Sequence, residues 1–367
     1  MARIEFQGVG HAYSAHPAQP SDYALQPMNM VWEDGGAYAL LGPSGCGKST
    51  LLNIISGLLS PSHGQVLFDG KAMNHILPRN RNIAQVFQFP VLYDTMSVFD
   101  NLAFPLRNRK VGEQEVRHRV HEVAEMLGMT GQLRQRAAGL PADAKQKISL
   151  GRGLVRKDVG AILFDEPLTV IDPHLKWQLR HQLKQIHQQL RLTLIYVTHD
   201  QTEALTFADE VVVMTDGKIV QQGGPDALFA RPDHTFVGYF IGSPGMNFFP
   251  VTLAVDDAVD IGGQRLAVGA ATMAALRAAN GKLCLGIRPE FVALADAGAP
   301  GALLAEITAV QYLGVCTLLT GTIAGLPVKA KVDSGILVNA GRHWLRLVRP
   351  ETIFFCNDER IRCEQAL

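Results

Sequence analysis

A charge excess of either sign is missing from this sequence: Lys+Arg and Asp+Glu both number 34, and the formal net charge is zero. A dedicated nucleic-acid binder carries a basic excess or a basic stripe. Neither is present, so no nucleic-acid partner is expected. Cysteine is sparse and scattered, at Cys46, Cys284, Cys316, Cys356 and Cys363, with no CxxC pair and no histidine cluster at metal-ligand spacing. An odd count leaves at least one thiol unpaired in an oxidised protein, so a reduced, cytoplasmic setting is expected. Long hydrophobic runs are absent too, since no stretch approaches the roughly 20 apolar residues that cross a bilayer. The opening MARIEFQGVGHAY alternates like a strand and lacks the apolar core of a secretion signal. Any membrane connection is expected to run through partner proteins.

What is present is ample material for buried cores. The chain has 367 residues, 47% of them apolar and 19% charged, which suits two domains. Up to about residue 235, short apolar runs alternate with amphipathic segments. Tyr38-Ala39-Leu40-Leu41, Ala161-Ile162-Leu163-Phe164 and Thr193-Leu194-Ile195-Tyr196-Val197 read as buried parallel strands. Lys48 to Leu58 reads as a helix stopped near Gly57. Leu175, Leu179, Leu183, Ile186 and Leu190 form one helical face, and Val116, Val120, Val123 and Leu127 another. The second lies in a helical insertion expected over residues 90–158. After about residue 243 the texture changes to short strands separated by Gly, Pro and Asp. Ala305 to Val310, Leu326 to Val332 and Trp344 to Val348 read as parts of a small antiparallel barrel or sandwich, with Ser243-Pro244-Gly245 as a joint.

Gly42-Pro43-Ser44-Gly45-Cys46-Gly47-Lys48-Ser49-Thr50 fits G-x-x-x-x-G-K-[ST] between a strand and a helix. Glycines let successive backbone N–H groups curl around a β-phosphate without Cβ interference. The helix that follows directs its positive end at the same charge. Lys48 is expected to reach the β/γ oxygens of ATP, and Ser49 to hold Mg²⁺. Far downstream, Asp165 and Glu166 end a buried strand. Asp165 suits Mg²⁺ through its water shell, and Glu166 suits activation of the attacking water; taken alone, such a pair is a helix cap or a surface feature. His199 ends another buried strand, either as a structural histidine or as a hydrogen-bond donor to the γ-phosphate. Gln88 is either a Mg²⁺ or water ligand or a plain loop amide. Tyr13 either stacks on adenine or packs in the core. The apolar run Phe87, Phe89, Pro90, Val91, Leu92 and Tyr93 around Gln88 reads as ordinary core or as a groove for a partner helix.

In this order, Tyr13, GPSGCGKST, Gln88, ILFDEP, Asp172 and His199 resemble the nucleotide-binding subunit of an ABC transporter, over about the first 240 residues. Phe240-Ile241-Gly242-Ser243-Pro244-Gly245-Met246-Asn247-Phe248 and Leu285-Gly286-Ile287-Arg288-Pro289-Glu290 resemble the importer branch with a regulatory barrel, as in maltose-type and glycerol-phosphate-type importers. The resemblance implies an α/β P-loop NTPase core with a helical subdomain over 1–240, then an all-β OB-like domain over 241–367. It also implies ATP and Mg²⁺, two transmembrane permease subunits, a periplasmic or extracellular solute-binding protein, and a place on the cytoplasmic face of the bacterial inner membrane. Asp172 takes the D-loop position. For the barrel, a dimerisation and stability module and a docking surface for a regulator both remain open.

One departure has a consequence for assembly. Where the family carries Leu-Ser-Gly-Gly-Gln, this chain reads Leu140-Pro141-Ala142-Asp143-Ala144. The family signature meets the γ-phosphate of ATP held by the opposite subunit, through its serine hydroxyl and glycine N–H groups. Pro141 has neither a hydroxyl nor an N–H, though a proline suits the opening of a helix. Asp143 brings a carboxylate toward phosphate, with Lys145 and Lys147 near enough in sequence to offset part of its charge. The expected partner is therefore a second, non-identical ATPase subunit with an intact signature, giving a heterodimer with one working site. LPADAKQKISLGRGLVR, DEPLTVIDPH and VFQFPVLYDTMSVFDNLAFPLRNR resemble one of two unlike ATPase subunits of bacterial glycerol importers. Other carbohydrate importers and a weakly hydrolysing regulatory subunit are the alternatives.

Overall fold

Strands that are apolar at nearly every position need a covering layer on both faces. The computed structural model describes residues 2–169, 171–254 and 257–362; Cys363 lies outside them. In chain order the first unit contains β1 (Ile4–Ala12), β2 (Tyr23–Trp32), β3 (Ala37–Leu41), α1 (Lys48–Ser56), β4 (His63–Phe68), β5 (Lys71–Ala72), β6 (Ile83–Val86), α2 (Val98–Asn108), α3 (Glu113–Met126), α4 (Ala142–Leu154), β7 (Ala161–Asp165), α5 (Pro173–Leu190), β8 (Leu194–Thr198), α6 (Gln201–Phe207), β9 (Glu210–Thr215) and β10 (Lys218–Gly223). The apolar runs become interior strands of a six-stranded sheet in the order β10-β9-β3-β8-β7-β6. All neighbours in it are parallel except the β9–β10 hairpin. That hairpin turns on Asp216 and Gly217, both with positive φ, the pair a two-residue type I′ turn requires.

A second, antiparallel sheet runs in the order β2-β1-β4-β5. Leu51, Leu52, Ile54 and Ile55 of α1 share one core with Phe6 and Trp32 of that sheet and with Leu40, Leu163, Ile195 and Val197 of the parallel one. The helix is thus held from both sides, and so is the glycine-rich loop that opens it. Its far end is held as well. Gly57 caps α1 at φ +81, and the buried Arg81 guanidinium donates to the carbonyls of Ile54 (2.7 Å), Ile55 (3.0 Å) and Ile76 (2.9 Å). A cation at a helix C-terminus satisfies orphan carbonyls and complements the dipole. Arg81→Met removes the guanidinium from all three carbonyls and leaves Ile54 with only the Gly57 N–H, so a loss of about 3 kcal/mol is expected in urea unfolding of the full chain; a loss below about 1 kcal/mol contradicts the clamp.

The helical faces form largely as the periodicity predicts. Val116, Val120, Val123 and Leu127 are fully buried. On α5, Leu179, Leu183 and Ile186 are buried, but Leu175 and Leu190 only half so. His187 takes part of that face instead, its Nε2 3.1 Å from the Gly35 carbonyl oxygen. Burial lowers its pKa.

The chain divides into two compact units, Met1–Pro225 and Asp226–Leu367. The segment 226–240, assigned from sequence to the first domain, therefore packs with the second unit. The physical reason is Arg288. It is 1% exposed, donates to the carbonyls of Phe229 (2.6 Å), Gly238 (3.3 Å) and Ile241, and lies 4.1 Å from the Phe229 ring centroid. Burial pushes its pKa down to about 10. The second unit is otherwise antiparallel. Its largest sheet runs Ala293–Ala295, Gly341–Arg346, Ala302–Tyr312, Cys316–Ile323 and Leu326–Asp333. Four- and three-stranded sheets complete it, and a helix, Ala270–Ala278, that the strand-rich texture did not announce packs Met273 and Leu276 into the shared core.

Candidate nucleotide site

Parallel neighbours end on one edge of a sheet, where loops from several strands converge. Here the loop 42–47 follows β3, His199 follows β8, Asp165 and Glu166 end β7, and Gln88 lies just past β6. The register aligns Leu41 with Thr198, Asp165 with Val197 and Val86 with Phe164, so the four loops emerge side by side.

Two glycines of the phosphate loop are fixed by close approach. A Cβ on Gly42 would lie 2.3 Å from the Met214 carbonyl oxygen, and one on Gly47 would lie 2.4 Å from that of Ala24. Gly47 also has φ +101 and caps α1. Gly45, at φ +82, borders open space. Lys48 is 6% exposed, and its Nζ donates to the carbonyls of Gly42 (2.8 Å) and Pro43 (2.9 Å). The ammonium is thus folded back over its own loop. Ser44 and Ser49 are exposed, whereas Cys46 is buried, its Sγ 3.8 Å from Lys48 Nζ. Burial raises the Cys46 pKa, opposed by Lys48.

Asp165 has its pKa raised by burial first and by Glu166 second, with Lys48 pulling it down. Glu166 adopts φ +46, uncommon for a residue with a Cβ. Its N–H donates to the Val197 carbonyl at 3.0 Å, tying the turn to β8. Its Oε2 accepts from Thr169 Oγ1 at 3.2 Å and lies 3.2 Å from His199 Nδ1. The structure therefore joins two residues that sequence could only nominate separately. Tyr13 is 71% exposed, with its hydroxyl 3.2 Å from Thr50 Oγ1 and its ring edge-on to His11. It is not a core aromatic but a free face tethered to the phosphate helix. Gln88 is half-buried beyond β6. Asp172 caps α5, its carboxylate accepting from the His174 N–H at 2.9 Å.

The run beside Gln88 is also not core: Phe87, Phe89, Val91 and Tyr93 are all exposed. Phe87 and Val91 line a cleft of about 260 Å³ together with Gln85, Pro105, Arg152 and Gly153. The segment 94–97 is pinned to the start of the signature region, with the Ala138 N–H on Asp94 O (3.1 Å) and the Ala137 N–H on Met96 O (3.0 Å). Pro141 is the N-cap of α4, without a side-chain cap bond, rather than its first helical residue. Asp143 stands in the first turn of α4 and Ala144 is buried. Lys145 does not compensate Asp143, because its ammonium pairs with Asp94 at 2.9 Å. Sequence reasoning passed over Asp94, Thr169, Arg81 and the residues around Glu203; only the short spacing of Thr198, Asp200 and Glu203 hinted at a local network.

The residues fit the triphosphate and its metal. The loop leaves open backbone at Gly45, and the positive end of α1 faces it. Ser49, Asp165 and Gln88 supply only oxygen donors, which suits Mg²⁺, an ion that keeps its waters and shares substrate phosphates. Among the described residues there is no cluster of three or more His, Cys, Asp or Glu able to hold a metal by itself.

The comparisons agree with this geometry. Residues 25–169 match the ABC transporter family model, and residues 242–292 match that of the MalK OB fold domain. The chain is 39% identical over 325 residues to the oligosaccharides import ATP-binding protein MsmX of Bacillus subtilis, covering 87% of this chain and 88% of that one. It is 43% identical over 276 residues to the trehalose/maltose import ATP-binding protein MalK of Thermococcus litoralis, covering 73% and 74%. The sn-glycerol-3-phosphate import ATP-binding protein UgpC of Ruegeria pomeroyi is 41% identical over 301 residues, covering 82% and 83%. Among solved structures, cbiO1 of Clostridium perfringens, part of the ABC transporter complex cbiONQ, superposes with a TM-score of 0.57 at 29% identity, covering 62% of this chain and 90% of that one. This chain belongs to the ABC transporter family as an ATP-binding protein, an ATPase working with Mg²⁺, and carries a MalK-type OB fold domain behind its P-loop core.

Proposed function

We propose that this chain powers a binding-protein-dependent importer of a small polyol or sugar, glycerol first, as one of two unlike ATPase subunits. The relatives' import of oligosaccharides, trehalose or maltose, and glycerol phosphate supports the carbohydrate class. The resemblance of the segments 86–109, 140–156 and 165–174 to a glycerol-importer subunit supports glycerol. In the working site Lys48 and the loop N–H groups hold the β/γ-phosphates, and Ser49, Asp165 and Gln88 hold Mg²⁺. Bound there, the ion neutralises charge on the transferring phosphoryl group. Glu166 takes the proton of the attacking water, His199 donates to the γ-phosphate, and Tyr13 stacks on adenine. The exposed aromatics beside Gln88 suit a short helix from one of two transmembrane permease subunits, which receive solute from an external binding protein. No described helix is long and apolar enough to cross a membrane, so such subunits would hold this one at the cytoplasmic face.

The observation that carries the unlike pair is the start of α4. Pro141 offers no hydroxyl and no N–H, and Asp143 stands in the first turn with Lys145 committed to Asp94. ATP held by the partner would meet this surface and turn over poorly. ATP held here would be closed by the partner's intact signature. Purifying the assembled importer and trapping its nucleotide with vanadate tests this. Two ATPase polypeptides and one trapped nucleotide per pair are expected. Two copies of this chain trapping two nucleotides would reject the reading.

A further inference from the structure

Glu203, in the first turn of the helix that follows His199, is 3% exposed. Its Oε2 accepts two hydroxyl hydrogen bonds, from Thr198 Oγ1 at 2.8 Å and from Tyr196 Oη at 3.0 Å. The Thr198 hydroxyl in turn accepts from the Asp200 N–H at 3.0 Å. Asp200 caps the helix that carries Glu203, taking the N–H groups of Thr202 (2.8 Å) and Glu203 (3.2 Å). The residues on both sides of His199 therefore belong to one closed network centred on a buried carboxylate. The other oxygen, Oε1, lies 3.8 Å from Lys176 Nζ in the first turn of α5, the turn that Asp172 caps.

We infer that Glu203 is a positioning residue for His199, holding the backbone on either side of it so that the imidazole stays beside Glu166. A satisfied buried network admits few alternative arrangements, which is what a side chain 54% exposed would otherwise lack. His199 reaches toward Glu166 from an open edge, and its own ring contacts do not fix its main chain. Thr198 and Asp200 do, and both report to Glu203. The ion pair with Lys176 extends the hold to the start of α5, so the histidine loop and the D-loop helix are referenced to one carboxylate. A displacement of about 1 Å at a reacting group lowers turnover roughly 100-fold, so this scaffold is expected to appear in kcat.

This inference rests on the ATPase reading of the same site, and the two fail differently. In the assembled complex, Thr198→Val keeps the side-chain volume but removes the hydroxyl bridge. It is expected to lower kcat about 10- to 100-fold with KM for ATP within about twofold, as is Glu203→Ala. Thr198→Ser, which keeps the hydroxyl bridge, is expected to stay within about threefold of wild type. Combined with His199→Ala, Thr198→Val should cost nothing further, since residues acting through one group are non-additive. Full additivity with His199→Ala, or a rise in KM at unchanged kcat, overturns the positioning role. If Glu203→Ala fails to fold, Thr198→Val and its serine rescue decide alone. A wild-type complex without ATPase activity would instead overturn the parent reading.

Discussion

Glu166→Gln, in the assembled complex, leaves ATP bound and lowers kcat by about 10² to 10⁴, the usual worth of a positioned general base. The substitution is close to isosteric at a residue whose main chain is already fixed. Its N–H bond to the Val197 carbonyl and its φ of +46 do not depend on the charge. The amide oxygen can still accept from Thr169 Oγ1, now at 3.2 Å from the carboxylate. What is lost is the basicity directed at water and the charge beside His199 Nδ1. Binding should be spared because the proposed phosphate contacts, Lys48 and the loop 42–47, lie on a different strand end. Equilibrium binding of a fluorescent ATP analogue alongside steady-state turnover separates the two. Turnover within about threefold of wild type would remove Glu166 from the base position, and loss of binding would mean that the β7 turn had collapsed.

The second large effect is a gain. Replacing Pro141→Ser, Ala142→Gly, Asp143→Gly and Ala144→Gln together is expected to let this chain hydrolyse ATP with a second copy of itself. A carboxylate about 4 Å from a phosphate costs on the order of 4 kcal/mol per unit-charge pair at an effective dielectric of 20, or roughly 10³ in rate if it falls on the transition state. Lys145 does not relieve it, being paired to Asp94. The change also restores a hydroxyl at the cap and two unobstructed N–H groups. At its exposed start the helix has room for it: Pro141 makes no side-chain cap bond, so serine at that position adds one. Pro141 and Ala142 are exposed, which keeps the cost of glycine at a helix start small. Purified without any partner, the variant should turn over ATP about 10²- to 10³-fold faster than the wild-type chain. A wild-type chain that is fully active alone, or a variant that stays silent while dimerising on ATP, contradicts the unlike-pair reading.

Sequence alone determined the parts whose chemistry is local. The phosphate loop is local because glycine is demanded by backbone curvature and lysine by charge, and both are written at fixed spacing. The parallel strands were legible for a similar reason: a run such as Leu194 to Val197, apolar at every position, has few other places to go. The departure at Pro141 was equally plain, since the lack of an N–H belongs to the residue itself. Tertiary structure decided what depends on partners far apart in the chain. Glu166 and His199 meet only because β7 and β8 are adjacent and in register. Lys145 turned out to serve Asp94, and the aromatics beside Gln88 turned out to face outward. The segment 226–240 went to the second unit because a buried arginine more than forty residues later gathers carbonyls within and just after it. Spacing along a chain reports backbone geometry over a turn or two; which carboxylate a distant cation or hydroxyl will find is settled by how the layers pack.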